Sequence, residues 1–228
     1  MKRAGETIRD WLLLPDHGDH DVQELLSAID VAEWWRARHA DALGKATMGL
    51  RSRYQTVVGP PPRVTQRHKR MATIVDKLRR EGGMRLDRMH DIAGCRAVVD
   101  TLEDQQRLVE RYRERPPREG IVKEYDYVDD PKDSGYRAFH IVTWHGGMRV
   151  EVQIRTRSQH AWAETMEGLG SSIRADLKSS LGPETVLKFM AAAAEAMAYE
   201  DRGEPVPRVL SNQIRELRAA ADEVFGGR

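Results

Sequence analysis

The stretch Val150-Glu151-Val152-Gln153-Ile154-Arg155 alternates apolar and polar residues, the period of a β-strand. Val150, Val152 and Ile154 are predicted to face a core. Glu151, Gln153 and Arg155 then share the opposite face. A carboxylate, an amide and a guanidinium in one row suit the handling of phosphate groups, and the same pattern suits an ordinary solvated sheet face. Asp91 precedes the apolar run Ile92–Val99, a second strand. Asp91 and Glu151 on adjacent strands can offer two carboxylates to one Mg²⁺, which takes one or two carboxylates plus substrate phosphates. With 36 acidic residues in the chain, spacing alone does not single out that pair. Arg67, Lys69 and Lys77 are cations fit for a polyphosphate, and the eight-residue step from Lys69 to Lys77 predicts one side of a helix. A solvated basic helix face has the same pattern. Residues 131–137, Pro-Lys-Asp-Ser-Gly-Tyr-Arg, join a cation, a glycine and an aromatic ring. Tyr136 there fits either a nucleobase-stacking role or a half-buried turn.

These residues need elements to hold them. Residues 138–144 and 148–155 read as a hairpin around His145-Gly146-Gly147. Leu102–Tyr112 reads as a helix, and Ile121–Tyr127 as a short strand. Helical patterning runs from Val22 to Thr56, with Asp30 as a candidate cap for a second helix, and again from Ser158 to the end. Residues 1–21 are loosely patterned. Trp34 and Trp35 are expected to pack the N-terminal helices. The run Ala191–Ala194 favours helix and has no assigned role. Strands in the middle with helices around them give an α/β or α+β class, a mixed β-sheet flanked by helices. The expected division is residues 1–62 as a helical segment, 63–170 as the core and 171–228 as C-terminal helices. Leu187, Phe189, Met190 and Met197 on those last helices serve either core packing or a partner surface.

Composition narrows the class. The chain has 228 residues, 40% hydrophobic and 32% charged, with a net charge of +1. Whole-chain disorder is excluded. Residues 63–90 hold nine cations against three anions, so that segment is +6 and the remainder −5. The single cysteine, Cys95, excludes an internal disulfide and a paired-cysteine zinc site, and is expected to be a small buried hydrophobe. No stretch approaches about 20 apolar residues, so a cytoplasmic protein with no membrane partner is expected. His17 and His20 make a weak metal pair.

Taken together, the motifs resemble the synthetase domain of the RelA/SpoT family over roughly residues 63–170. Arg67-His68-Lys69 with Thr73-Ile74 and Lys77 is similar to the family's ATP-binding segment. Asp91-Ile92-Ala93-Gly94-Cys95-Arg96 is similar to its Asp-Ile-Ala-Gly-x-Arg strand. Asp126-Tyr127 followed by residues 131–140 is similar to its acceptor loop, and Val150–Thr156 to its Val-Glu-x-Gln-Ile-Arg-Thr strand. The resemblance implies a nucleotidyltransferase-like fold. It also implies transfer of the β,γ-pyrophosphate of ATP to the ribose 3′-hydroxyl of GTP or GDP, with Mg²⁺. Asp91 would be the principal metal ligand, and Glu151 would assist the metal or act as base. Arg67, Lys69, Thr73, Lys77 and Arg96 would bind ATP. Lys123, Lys132, Ser134, Tyr136 and His140 would serve the acceptor, with Tyr136 stacked on its base. Gln153 and Arg155 would position the reacting groups. No alarmone hydrolysis is expected.

One departure concerns the acceptor. Before Asp-Tyr the family often has Arg-x-Lys, and this chain has Lys123-Glu124-Tyr125. Tyr125 in the lysine's place removes a cation, and at about 1.5–3 kcal/mol per charged hydrogen bond that weakens acceptor discrimination about tenfold or more. Alternatives of other classes fit the same residues. They are a toxin-type enzyme acting on the tRNA 3′ end or making adenosine alarmones, with a protein antitoxin, and a non-catalytic nucleotide- or RNA-binding regulator. A homo-oligomer is compatible with all of them.

Overall fold

In the computed structural model, residues 1–13, 19–173, 177 and 182–226 are described. The Val150–Ile154 strand sits at the centre of a sheet. β1 (Val64–His68), β2 (Ala93–Val99), β3 (Ile121–Asp126), β4 (Phe139–His145) and β5 (Met148–Thr156) are arranged in the order β1-β2-β5-β4-β3. β2 and β5 pair parallel, and the other three pairings are antiparallel. The mixed, helix-flanked sheet is the class expected from the sequence. The β4–β5 turn falls where expected, with Gly146 and Gly147 at φ +60° and +73°, the left-handed geometry of a two-residue hairpin.

The two faces of the sheet have different jobs. Val150, Val152 and Ile154 join Cys95, Ala97 and Val99 of β2 on one face. α3 (Ala40–Val57) and α5 (Leu102–Glu114) cover that face with Leu43, Leu50, Tyr54, Leu108 and Tyr112. Cys95 is buried there as expected, and burial pushes its thiol up to about 12. The opposite face, carrying Glu151 and Gln153, looks toward α4 (Met71–Arg80) and α6 (Arg157–Ile173).

α4 is fixed from outside by α1 (Lys2–Leu13) and α2 (Asp19–Ala37). Ile74 and Leu78, a helical turn apart, pack against Ile8, Ala28, Ala32 and Leu86. Residues 2–13 thus form a helix where the sequence reads as loosely patterned. Its buried face is carried by Ala4 and Ile8, too few positions for the apolar period to stand out. Asp30 caps nothing and lies inside α2, because Ala28 and Ala32 continue one buried face across it. The break comes at Arg38-His39 instead. Trp35 packs in that cluster, but Trp34 is 53% exposed beneath the Arg38 guanidinium. His17 lies outside the described residues, as does the side chain of His20.

α7 (Glu184–Asp201) and α8 (Arg208–Gly226) close the molecule. Met190 is buried with Trp162 and Met166 of α6, and Leu187, Phe189 and Met197 pack against them, so these four side chains serve core packing. Among the described residues, no helix is long and apolar enough to cross a membrane.

Candidate active site

A cavity of about 1140 Å³ opens on the polar face of the sheet. Pockets for one drug-sized ligand run to about 1,000 Å³, so this one has room for a large ligand or two side by side. Its walls carry twelve of the fourteen residues singled out in the sequence. These are Arg67, Lys69, Thr73, Lys77, Asp91, Arg96, Lys132, Tyr136, His140, Glu151, Gln153 and Arg155. Residues spread over 89 positions, from Arg67 to Arg155, are gathered because β1, β2 and β5 lie side by side.

Lys69 and Lys77 do not share a helix face as their spacing predicts. Lys69 lies in the link between β1 and α4, and Lys77 lies in α4. The link is clamped from two sides, since the Lys69 backbone N–H donates to the Ile92 carbonyl (2.8 Å) and Arg36 Nε donates to the Lys69 carbonyl (2.8 Å). Both ammonium groups nevertheless converge on Asp91, Lys69 Nζ on Oδ2 at 2.8 Å and Lys77 Nζ on Oδ1 at 3.2 Å. Burial pushes the Asp91 carboxyl up, but these two cations outweigh it and hold it below the usual carboxylate value. The side chains of Arg67, Arg70 and Arg88 also line the cavity, and among the described residues they make no ion pair.

Glu151 belongs to a closed ring of hydrogen bonds. His140 Nδ1 donates to its Oε1 (3.0 Å) and Gln153 Nε2 to its Oε2 (2.6 Å). Arg155 Nη2 donates to Gln153 Oε1 and to the Tyr136 hydroxyl, both at 2.7 Å. The hydroxyl lies 2.7 Å from His140 Nε2, which closes the ring. Arg155 can only donate, so the phenol proton is directed to His140 Nε2 and the imidazole N–H to Glu151. Burial pushes Glu151 up, but His140 and Gln153 outweigh it and hold the carboxyl well below its usual range. The alternation of β5 builds this arrangement, and the β4–β5 register sets His140 opposite Gln153.

Arg96, from β2, donates through Nη1 to His160 Nδ1 (3.1 Å), and His160 Nε2 faces Glu164 at 3.3 Å. α6 thereby aims the guanidinium into the cavity. Burial lowers its pKa.

Three expectations on the acceptor side are corrected. Tyr136 offers no free ring face to a base, being 4% exposed among Tyr127, His140 and Trp162 with the Arg155 guanidinium 5.2 Å from its centroid. Ser134 is buried and lines no part of the cavity. Lys123 is exposed and does not itself line the cavity, its ammonium lying 4.5 Å from the ring centroid of Tyr125. The edge strand β3 instead supplies Tyr125, which with Tyr127 just beyond it forms a stacked pair 5.8 Å apart on the cavity wall. Lys132 Nζ lies 4.8 Å from the Tyr127 ring centroid. Tyr125 marks a departure from the family in the sequence, but its place on the wall depends on the β3–β4 register.

The donor set also fits a divalent cation. Asp91 and Glu151 face one cavity and sense each other's charge. Among the described residues no group of three or more His, Cys, Asp or Glu gathers as a ready metal cage. A cation here would complete its shell from phosphates and water, the habit of Mg²⁺.

Paired carboxylates under a cation-lined cavity, on a mixed sheet flanked by helices, define a protein built to hold and transfer phosphate groups. Residues 66–174 match the family described as a region found in RelA / SpoT proteins. The chain is 30% identical over 177 residues to GTP pyrophosphokinase YjbM of Bacillus subtilis (strain 168), spanning 73% of this chain and 80% of that protein. It is 33% identical over 153 residues to the probable GTP diphosphokinase RSH2, chloroplastic, of Oryza sativa subsp. japonica, 65% of this chain but a fifth of that longer protein. The crystal structure of small alarmone synthetase 1 from Bacillus subtilis bound to its product pppGpp superposes with a TM-score of 0.61 at 26% identity, covering 75% of this chain and 94% of that one. A GTP pyrophosphokinase family protein from Streptococcus pneumoniae gives 0.59 at 26% identity, covering 80% and 96%. The chain belongs to the RelA/SpoT family.

Proposed function

We propose that this chain transfers the β,γ-pyrophosphate of ATP to the ribose 3′-hydroxyl of GTP or GDP. The observation that carries the reading is the convergence of Lys69, Lys77 and Asp91 opposite the ring-held Glu151 in one cavity. The names of the relatives support the same reaction.

Arg67, Lys69, Thr73, Lys77 and Arg96 hold the ATP phosphates, and Arg70 and Arg88 extend that cationic wall. Asp91 and Glu151 would hold a Mg²⁺ ion, which when bound neutralises charge on the transferring phosphates. Glu151, kept ionised by its donors, takes the proton of the 3′-hydroxyl. The freed oxygen bonds to the β-phosphorus as the bond from that phosphorus to the α-phosphate oxygen breaks, and AMP leaves with the electron pair. Gln153 and Arg155 keep Glu151 from rotating away. Tyr125, Tyr127 and Lys132 form the acceptor wall. His140 acts there through Glu151.

The test is transfer from γ-labelled ATP with Mg²⁺ to GDP, GTP, AMP and deacylated tRNA in separate reactions. Label on GDP or GTP, lost in Asp91→Asn, is expected. Label on tRNA alone, or on AMP alone, overturns the acceptor assignment, and label on none overturns the reaction.

A further inference from the structure

The four-alanine run of α7 lies against the acceptor loop. Gly135 sits at φ +84°. A methyl group there would meet the Ala194 Cβ at 2.6 Å and the Ala191 Cα at 3.1 Å, so the loop backbone rests directly on the helix. Ala191 and Ala194 are three apart and share a helix face. The neighbouring Arg137 reaches over the same spot, its Nη1 donating to the Ala194 carbonyl at 3.1 Å. The loop also closes on itself, Gly135 N–H to the Lys132 carbonyl (2.7 Å) and Lys132 N–H to the Tyr136 carbonyl (3.3 Å). Between Gly135 and Arg137, the Tyr136 side chain enters the cluster of Trp162, Met166, Met190 and Ala194. From there its hydroxyl completes the ring that holds Glu151.

α7 itself is tied to α6 on one side of this contact, and to α6 and the end of β5 on the other. Trp162 Nε1 donates to the Met190 carbonyl (2.9 Å). Thr156 Oγ1 donates to Asp201 Oδ2 at 2.9 Å, and Ser158 Oγ bonds the other carboxylate oxygen. α7 is thus a fixed floor for the loop.

We propose that Ala191 and Ala194 are positioning residues for the transfer reaction: they form a seat that only a loop glycine fits, and seating Gly135 sets Tyr136 into the ring around Glu151. The seat acts on the reaction through Tyr136 and touches no substrate. The consequence for transfer rests on the reaction proposed above, whereas the seat itself does not.

The experiment uses the full chain with Ala194→Leu, and Lys188→Leu on the exposed side of the same helix as control. Limited trypsinolysis reads the loop directly, at the bonds after Lys132 and Arg137. In Ala194→Leu these two bonds are expected to cleave about tenfold faster than in the parent chain, the effect of losing a contact of ordinary mutational size, with other sites unchanged. The kcat for transfer is expected to fall by about the same factor with the KM for ATP unchanged. Lys188→Leu is expected to match the parent in both. Parent-like cleavage in Ala194→Leu overturns the seat, as does acceleration at every tryptic site, which marks a helix needed only for stability. Should Ala194→Leu not fold, Gly135→Ala brings a methyl against the same Cβ from the loop side, and absence of local cleavage there is equally fatal. A parent chain that transfers nothing refutes the proposed reaction and leaves the cleavage contrast to decide the seat. Local cleavage with undiminished kcat overturns the coupling of seat to chemistry.

Discussion

Glu151 is a carboxylate surrounded by donors at a place where burial alone would neutralise it. Its two oxygens are occupied by His140 and Gln153, so the charge and the orientation are both fixed before substrate arrives. Glu151→Gln keeps the shape and removes the base, and kcat is expected to fall about 10²- to 10⁴-fold, the usual share of general base catalysis, with KM values changing little. A steady-state assay checks this. The same carboxyl makes stability depend on pH. Its folded pKa lies below the ordinary 4.5, so the unfolded chain binds the proton more readily. The stabilisation is complete well above pH 4.5 and is lost as pH falls through the depressed folded value. Denaturant unfolding between pH 6 and 3 should show the parent losing stability relative to Glu151→Gln as the pH drops, and a constant gap would contradict it.

At the level of elements, α4 matters because it carries Lys77 to Asp91. Its hold on the molecule is Ile74 and Leu78, both fully buried against α1, α2 and the Leu86–Arg88 turn. Ile74→Ala is expected to cost about 2–5 kcal/mol, the range for deleting a buried aliphatic side chain. The midpoint of urea unfolding measures it. α5 offers a milder counterpart. Thr101 accepts from the Asp104 N–H at 3.0 Å as its N-cap, and Thr101→Ala should cost about 1 kcal/mol with transfer unaffected, since α5 lies on the face away from the cavity.

For the whole molecule, the near-zero net charge conceals a strongly polarised one. Of the nine cations in residues 63–90, six (Arg67, Lys69, Arg70, Lys77, Arg80 and Arg88) line the cavity beside Asp76 and Glu81, and Lys69 and Lys77 are already paired with Asp91. A small nucleotide bound there engages few phosphates, whereas an RNA acceptor engages many along the same wall. Raising salt from 50 to 200 mM should therefore lower apparent affinity for GDP or GTP modestly. A loss of about 10³-fold or more would indicate six to ten phosphate contacts and an RNA acceptor. Titration of kcat/KM against ionic strength separates the two.

Four of the five strands, the hairpin turn, the helix α5 and the polar row of β5 were legible in the sequence, because alternation and glycine pairs are local signals, whereas β1 lies in a basic segment whose spacing reads as helical. So were twelve cavity residues, carried by motifs in a fixed order. What the sequence left open depends on contacts between distant segments. Lys69 and Lys77 meet at Asp91 because a strand and a helix converge there, and their eight-residue spacing has no part in it. Tyr136 is folded inward because Gly135 fits against Ala194, a contact across 59 positions that no periodicity encodes. Lys123 and Tyr125 both lie on β3, but only Tyr125 lines the cavity. The sequence alone determined the family, four strands of the sheet and the set of charged groups. The tertiary structure decided which of those groups face one another, since side-chain direction on an edge strand, a loop or a helix end is set by what packs against it.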